Sequence, residues 1–180
     1  DFGKEWEQYN QRSMDNKELL SLYNNYFSIF PFDKIGKNSV GFDMGCGSGR
    51  WAKFIAPKVK RLNCIEPSKL ALKEAKLNLK DFKNCFFENR DVMSTKLENN
   101  SQDFGYSLGV LHHIPDTLLA LKQCVKKLKK DAPILVYLYY KFDNKPWWFK
   151  SIWKISDVIR GLISKMPFRL KLFVTHLIAI

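Results

Sequence analysis

Short apolar runs alternate with segments of helical periodicity through the middle of the chain, from about residue 38 to residue 140. Five runs have the length and the β-branched or aromatic content of strands: "SVGFDM", "RLNCIE", "NCFFEN", "DFGYSLGVL" and "PILVYLYY". Helical segments separate most of these runs. A strand that repeatedly alternates with a helix predicts a parallel sheet with right-handed crossovers and helices on both faces. The predicted fold class is therefore α/β, doubly wound, with a mainly parallel sheet.

Proline and small polar residues set the predicted helix boundaries in this region. Pro57 is expected to stop the helix in "RWAKFIA", while Pro67 and Ser68 start the next helix and Asp116 caps a third. The apolar stripes predicted for the second and third helices are Leu72, Ala75 and Leu79, and Leu118, Leu121, Val125 and Leu128. These stripes should face the sheet.

Two flanks lie outside the alternation, so three segments are predicted: a helical flank at 1–37, a core at 38–140 and a basic helical segment at 141–180. The first flank contains an amphipathic helix, "NKELLSLYNNYFSIF", which Pro31 should end. The last segment has eight basic and two acidic residues and three of the five tryptophans. Its helix, predicted from Trp147, carries an apolar stripe of Trp148, Ile152, Ile155, Ile159, Leu162 and Met166.

Two interpretations of that stripe remain open. It packs on the sheet or forms a lid over a pocket, or it lies on a bilayer surface and gives peripheral membrane contact through residues 147–180. The longest uncharged run near the end of the chain has nine residues, fewer than the roughly 20 of a membrane span. Since the chain starts at Asp1 and stops inside an apolar run, we expect it to belong to a longer protein.

Composition narrows the classes of function. The chain has 180 residues, 46% of them hydrophobic, and a net charge of +12. Because 24 of the 30 basic residues are lysines rather than the arginines favoured for bidentate phosphate and base contacts, we expect no specific nucleic-acid partner. The cysteines are widely spaced, which favours buried thiols in the reducing cytoplasm over disulfides or a metal site: Cys46, Cys64, Cys85 and Cys124. The sequence does not predict an oligomeric state.

The candidate chemistry begins at "VGFDMGCGSGRW", residues 40–51, where the first strand runs into an acid and three alternating glycines. Glycines allow a tight turn and let a ligand lie directly against the backbone. In an open parallel sheet, ligands bind beyond the carboxyl ends of the strands, which is where this loop falls. A dinucleotide fingerprint would need a third glycine at Arg50, whereas the spacing here is G-x-G-x-G behind Asp43.

This arrangement resembles motif I of the class I S-adenosylmethionine-dependent methyltransferases. The resemblance implies a Rossmann-like fold, S-adenosylmethionine as cofactor and methyl transfer by in-line displacement. It also implies that Glu66, 21 residues after Gly45, binds the ribose hydroxyls, that Asp91 receives the adenine amino group and that Val92 packs on the ring. The predicted cofactor-binding residues are Asp43, Gly45, Cys46, Gly47, Gly49, Glu66, Pro67, Asp91, Val92 and Leu108. The family sheet has seven strands, so a final pair lies beyond residue 180 or is absent.

The segment "SLGVLHHIPD" after the fourth strand is similar to the family's post-strand motif and supplies His112 and His113. Either histidine is a candidate catalytic base, and the alternative is that the pair packs against the loop. Family members that methylate nucleobase amines usually carry an Asn or Asp followed by two prolines here, so small-molecule, saccharide or lipid-linked acceptors are favoured.

Two other classes of function stay open at this stage. The first is an NAD(P)-binding Rossmann oxidoreductase, against which Arg50 argues. The second is a non-catalytic basic membrane-associated domain, against which the ordered acids Asp43, Glu66 and Asp91 argue.

Overall fold

The computed structural model describes residues 16–139 and 145–166 of the chain. The chain divides into two compact units, residues 1–139 and 140–180. The first contains the sheet and most of the helices. The described part of the second is one long helix.

The sheet has five parallel strands among the described residues, in the order β3-β2-β1-β4-β5. Their bounds are Val40–Met44 (β1), Arg61–Ile65 (β2), Cys85–Glu88 (β3), Phe104–Leu108 (β4) and Ile134–Tyr137 (β5). The strand order reverses direction between β1 and β4, which places the ligand-binding crevice of such sheets at the carboxyl end of β1. The predicted doubly wound α/β fold is confirmed.

Five α-helices accompany the strands in the described residues. They are Asn16–Tyr26 (α1), Ala52–Ile55 (α2), Lys69–Asn78 (α3), Thr117–Lys127 (α4) and Trp147–Ser164 (α5). Two predicted caps are confirmed. The Ser68 hydroxyl accepts a hydrogen bond from the Ala71 N–H at 3.4 Å, and Asp116 Oδ1 accepts one from the Leu119 N–H at 2.8 Å. Within the described residues, no helix combines the length and apolar character needed to cross a bilayer.

Two predicted helix ends were wrong. Helix α2 is a single turn that ends at Ile55, and the chain continues through Pro57 as the 3-10 helix Ala56–Lys58. Proline fits this turn because its position near the start of a helix needs no N–H donor. Helix α1 ends at Tyr26, well before Pro31, because the aromatic residues after it turn into the core.

The predicted stripe of α4 was also wrong in part. Leu118 and Val125 are 61% and 50% exposed, whereas Ala120 and Cys124 are fully buried. Small residues four positions apart let the helix backbone approach the sheet closely, so they occupy the buried face in place of the larger ones. The stripe of α3 was predicted correctly, since Leu72, Ala75 and Leu79 are all buried.

The core has two parts, one on each face of the sheet. One contains Phe42, Met44 and Ile65. The other part includes side chains from the N-terminal flank, most of them aromatic, which pack with α2, α3 and alternate residues of β2 and β4. The flank residues buried in this part are Leu19, Tyr23, Phe27 and Phe30. The flank therefore helps to form the face of the sheet that lies under the glycine loop.

Candidate active site

A cavity of about 600 Å³ lies at the carboxyl ends of the strands in the first unit. Its size falls within the usual range of small-molecule sites, about 300–1,000 Å³. The predicted site residues on its wall are Gly45, Cys46, Gly47, Glu66, Pro67, Asp91, Val92, Leu108 and His113. The loops after all five strands contribute, so the fold brings together residues as far apart in the chain as Gly45 and Tyr139.

The structure does not place Asp43, Gly49 or His112 on the cavity wall. Asp43 is buried beneath the loop, and only 1% of it is exposed. Gly49 faces α3, where an added Cβ would lie 2.7 Å from Leu79 Cδ1. These residues support the wall from behind, so any contact with a ligand stays a prediction for them.

The glycine loop has the backbone geometry that the sequence predicts. Gly45, Gly47 and Gly49 have φ values of 82°, 54° and 79°, in the left-handed region that side chains disfavour. Two N–H groups of the loop, those of Gly45 and Cys46, donate to the Ile65 carbonyl at 2.8 and 3.0 Å. The loop is thus fastened to the end of β2 and presents its backbone to the cavity.

Glu66 completes this attachment. Its Oε2 accepts a hydrogen bond from the Gly47 N–H at 3.0 Å, and its Oε1 accepts one from the Ser68 N–H at 2.9 Å. Burial raises the pKa of this carboxyl, and the two backbone N–H groups oppose the rise. Since each carboxylate oxygen can accept more than one hydrogen bond, Glu66 retains acceptor capacity toward the cavity.

Asp91 is the second carboxylate on the wall. Its Oδ1 accepts three hydrogen bonds, from the Ser94 hydroxyl at 2.6 Å, the Ser94 N–H at 2.8 Å and the Met93 N–H at 3.0 Å. The Ser94 hydroxyl contributes most to a lowered pKa, so Asp91 is ionised at neutral pH. Val92, next to it, is buried and supplies an apolar surface to the same wall.

Asp43 has the opposite electrostatic environment. Complete burial raises its pKa to about 8, with the charge of Glu66 adding to the rise. Asp43 Oδ2 and the Tyr106 hydroxyl are buried without a hydrogen-bond partner among the described residues, although that hydroxyl is close enough to oppose the rise. Burial therefore favours the protonated form of the Asp43 carboxyl at neutral pH.

The opposite side of the cavity is aromatic. We define the aromatic wall as Tyr26, Trp51, Tyr137 and Tyr139. Tyr26 lies 5.2 Å from Trp51 and 5.0 Å from Tyr137 between ring centroids, and Tyr137 lies 5.9 Å from Tyr139. The Arg50 guanidinium lies over the Trp51 ring at 4.4 Å and also lines the cavity. Sequence reasoning missed these residues as ligand contacts.

The two histidines are separated by their environment. His113 lines the cavity, whereas the His112 ring lies 4.1 Å from both the His113 and Tyr139 rings. Both ring nitrogens of His112 are buried without a hydrogen-bond partner in the part of the chain that the structure describes. Burial, followed by the charge of His113, lowers the pKa of His112, so it is neutral at pH 7.

Comparison with known proteins agrees with this geometry. The model of the family described as "Methyltransferase domain" matches residues 42–136. The tRNA U34 carboxymethyltransferase of Aliarcobacter butzleri (strain RM4018) is 30% identical over 118 residues, which are 62% of this chain and 37% of that protein.

Two solved structures have the same fold. The phosphoethanolamine N-methyltransferase 1 of Haemonchus contortus, in complex with phosphoethanolamine and S-adenosylhomocysteine, superposes with a TM-score of 0.60 at 17% identity. That match covers 74% of this chain and 30% of the other. The YcgJ protein of Bacillus subtilis gives a TM-score of 0.56 at 19% identity, over 68% of this chain and 50% of that protein. The chain thus spans half or less of the length of these relatives.

A glycine loop after β1 and acids after β2 and β3, around one cavity of a parallel sheet, define a nucleoside-cofactor domain. The chain belongs to the methyltransferase-domain family, within the class I S-adenosylmethionine-dependent methyltransferases. The lining of the cavity fits this cofactor, since the glycine-loop residues Gly45 and Gly47 and the carboxylates of Glu66 and Asp91 share one wall.

Proposed function

We propose that this chain transfers a methyl group from S-adenosylmethionine to a small-molecule, saccharide or lipid-linked acceptor. The single observation that carries the proposal is Glu66, a buried carboxylate that holds the glycine loop by the Gly47 N–H and also lines the cavity with Asp91. The four buried free cysteines fit a reducing compartment, so the proposed location is the cytoplasm.

The part of the cavity at the ends of β1, β2, β3 and β4 would hold the cofactor. Glu66 would accept hydrogen bonds from the ribose hydroxyls, Asp91 would accept one from the adenine amino group, and Val92 and Leu108 would pack against the ring. When bound, S-adenosylmethionine supplies an electrophilic methyl group. The protein then has to orient the acceptor, which can contribute about 7–11 kcal/mol.

The aromatic wall would bind the acceptor. Its rings exclude water and offer flat apolar surface, while Arg50 adds a positive charge that suits an anionic group on the acceptor or the cofactor. His113 is the histidine on the wall and would remove a proton from the acceptor through a ring nitrogen. His112, which lies behind it, would hold the His113 ring in position.

RNA is a second candidate acceptor, favoured by one observation. The similar Aliarcobacter protein is named for action on U34 of tRNA. The transferred group in that protein's name is carboxymethyl rather than methyl. A screen for the acceptor should therefore include total tRNA, with mass spectrometry of the modified nucleosides.

Thermal unfolding with S-adenosylhomocysteine and, separately, NAD⁺ tests the proposal. A ligand at 100 times its Kd adds about 2.7 kcal/mol to the free energy of unfolding. We expect S-adenosylhomocysteine to raise the melting temperature by several degrees and NAD⁺ to leave it unchanged. A shift with NAD⁺ alone would favour an oxidoreductase.

A further inference from the structure

Helix α5 exposes an unusual amount of apolar surface. Exposure is greatest at Trp147 (79%), Val158 (65%), Ile155 (63%), Leu162 (61%) and Ile152 (59%). Large contiguous apolar patches on a protein surface mark contact sites for other molecules. This surface of α5 is therefore a candidate contact site for another molecule.

These side chains are confined to one side of the helix. At 3.6 residues per turn, seven apolar residues fall within about 140° of its circumference. We call them the apolar arc: Trp147, Trp148, Ile152, Ile155, Val158, Ile159 and Leu162. The charged residues Lys150, Lys154, Asp157 and Arg160 all lie outside the arc. Trp153 lies among them, with the Arg160 guanidinium 5.7 Å from its ring centroid.

The charges indicate what the arc contacts. Arg160 pairs with Asp157 at 3.6 Å, and three basic residues against one acid give this side of the helix a net charge of +2. Lys145 and Lys165 flank the helix and raise the local charge to +4. A second copy of the chain would bring two positive helices together, whereas a surface of anionic lipids would be complementary to this charge.

The residue types agree with a lipid surface. Tryptophans next to lysines suit the boundary between headgroups and acyl chains, because each has an apolar body and a polar tip. Helix α5 is not apolar enough to cross a bilayer, so on a membrane it would lie in the plane of the surface. We propose that α5 is an interfacial helix, whose apolar arc enters the surface of an anionic bilayer while its lysines contact the headgroups.

The test uses the 180-residue chain and two kinds of vesicle, pure phosphatidylcholine and phosphatidylcholine with about one third phosphatidylglycerol. We expect the chain to sediment with the anionic vesicles and far less with the neutral ones. The double variant Ile155→Ser/Ile159→Ser should lower the partition coefficient at least tenfold, since it removes two large apolar side chains from the arc. Leu118→Ser/Val125→Ser is the matched control, because it removes exposed apolar residues from α4 and should change binding less than twofold.

A second pair of variants tests the charge. Lys150→Gln/Lys154→Gln should weaken binding to anionic vesicles roughly thirtyfold, because each lysine near such a surface contributes about a factor of five. The equally exposed pair Lys122→Gln/Lys126→Gln on α4 serves as control and should have a smaller effect. Binding of S-adenosylhomocysteine should be the same in all variants, since none of these residues lines the cavity.

Three results would overturn the proposal. The first is absence of sedimentation with anionic vesicles, and the second is equal sedimentation by wild type and Ile155→Ser/Ile159→Ser. The third is self-association in a sedimentation-velocity experiment that those two substitutions abolish, without vesicle binding, which would assign the arc to a second copy. Because S-adenosylhomocysteine binding is measured separately, failure here leaves the proposed enzymatic function intact.

Discussion

The two sides of the cavity are built in different ways. Next to β1, β2 and β3, backbone and carboxylates form the wall, and Glu66 ties the loop by hydrogen bonds of 3.0 and 2.9 Å. Beside β5, aromatic rings form the wall, with Tyr26 and Tyr137 at 5.0 Å. The first side has fixed positions for polar groups, whereas the second offers shape and apolar surface.

This difference suggests a division of labour. A cofactor that is the same in every reaction can be bound by hydrogen bonds in fixed directions, whose favourable free energy is largely lost when one partner is displaced. An acceptor that differs between family members can be bound by aromatic rings, because apolar contacts with a ring tolerate different ligand shapes. Variants on one side should therefore alter cofactor binding, and variants on the other should alter turnover.

The largest effect is expected on the aromatic side. His113→Gln should lower kcat at least about 100-fold, because a positioned base contributes about 10²–10⁴-fold to a reaction that must release a proton. Affinity for S-adenosylhomocysteine should stay within about twofold of wild type. Steady-state kinetics with the acceptor found in the screen, and calorimetry with the product cofactor, provide the two readouts.

His112→Gln is the matched control for that variant. His112 lies off the cavity wall, so its substitution should lower kcat less than about tenfold. Unchanged kcat in both variants would show that the acceptor needs no base from this pair.

On the carboxylate side, Glu66→Ala should weaken S-adenosylhomocysteine binding roughly 100-fold. The substitution removes a ligand contact, and it also removes the acceptor that holds the Gly47 and Ser68 N–H groups, so the loop under the ligand is no longer fixed in place. Isothermal titration calorimetry measures the loss. Glu88→Ala is the control, since Glu88 also accepts two bonds, from Thr95 and Lys96, but does not line the cavity. Equal losses in both variants would contradict the assignment.

Gly49→Ala should lower the free energy of unfolding by about 2–3 kcal/mol. Alanine disfavours a φ of 79° by about 1–2 kcal/mol, and its Cβ would also lie 2.7 Å from Leu79 Cδ1. Urea denaturation measures the change. At Gly36 an added Cβ meets nothing within 4 Å, so Gly36→Ala should stay within about 0.5 kcal/mol of wild type. A smaller loss at Gly49 than at Gly36 would refute this account of the loop.

A pH-dependent effect on stability is expected from Asp43, whose folded pKa of about 8 exceeds its ordinary value of 3.8. Between these values the folded state holds a proton that the unfolded state releases, so the free energy of unfolding falls as pH rises. The contribution is at most about 1.4 kcal/mol per pH unit. Asp43→Asn should flatten the profile between pH 5 and about 8. Parallel profiles for the two proteins would contradict the raised pKa.

The sequence predicted the features that depend on nearby residues. The caps at Ser68 and Asp116, the strands and the turn at Gly45 follow from side-chain chemistry within a few positions. Glu66 and Asp91 were identified from the resemblance to the methyltransferase family, and the parallel sheet brings the ends of their two strands to one cavity. These parts of the fold and site need no knowledge of packing.

The features that the sequence did not predict depend on packing between distant segments. Tyr26 meets Tyr137 only because α1 packs on the core under the sheet, and no local pattern encodes that approach. The buried face of α4 was predicted incorrectly because hydrophobicity favours Leu118, whereas close packing on the sheet selects Ala120. A motif likewise names Asp43 without showing that it points beneath the loop.

The most direct test of the division between the two sides is a crystal structure of the protein with S-adenosylhomocysteine. We expect the ribose within hydrogen-bonding distance of Glu66, the adenine next to Asp91 and Val92, and the aromatic wall left open beside the sulfur. A ligand seated against Tyr137 and Tyr139, with Glu66 still bonded only to Gly47 and Ser68, would contradict this expectation.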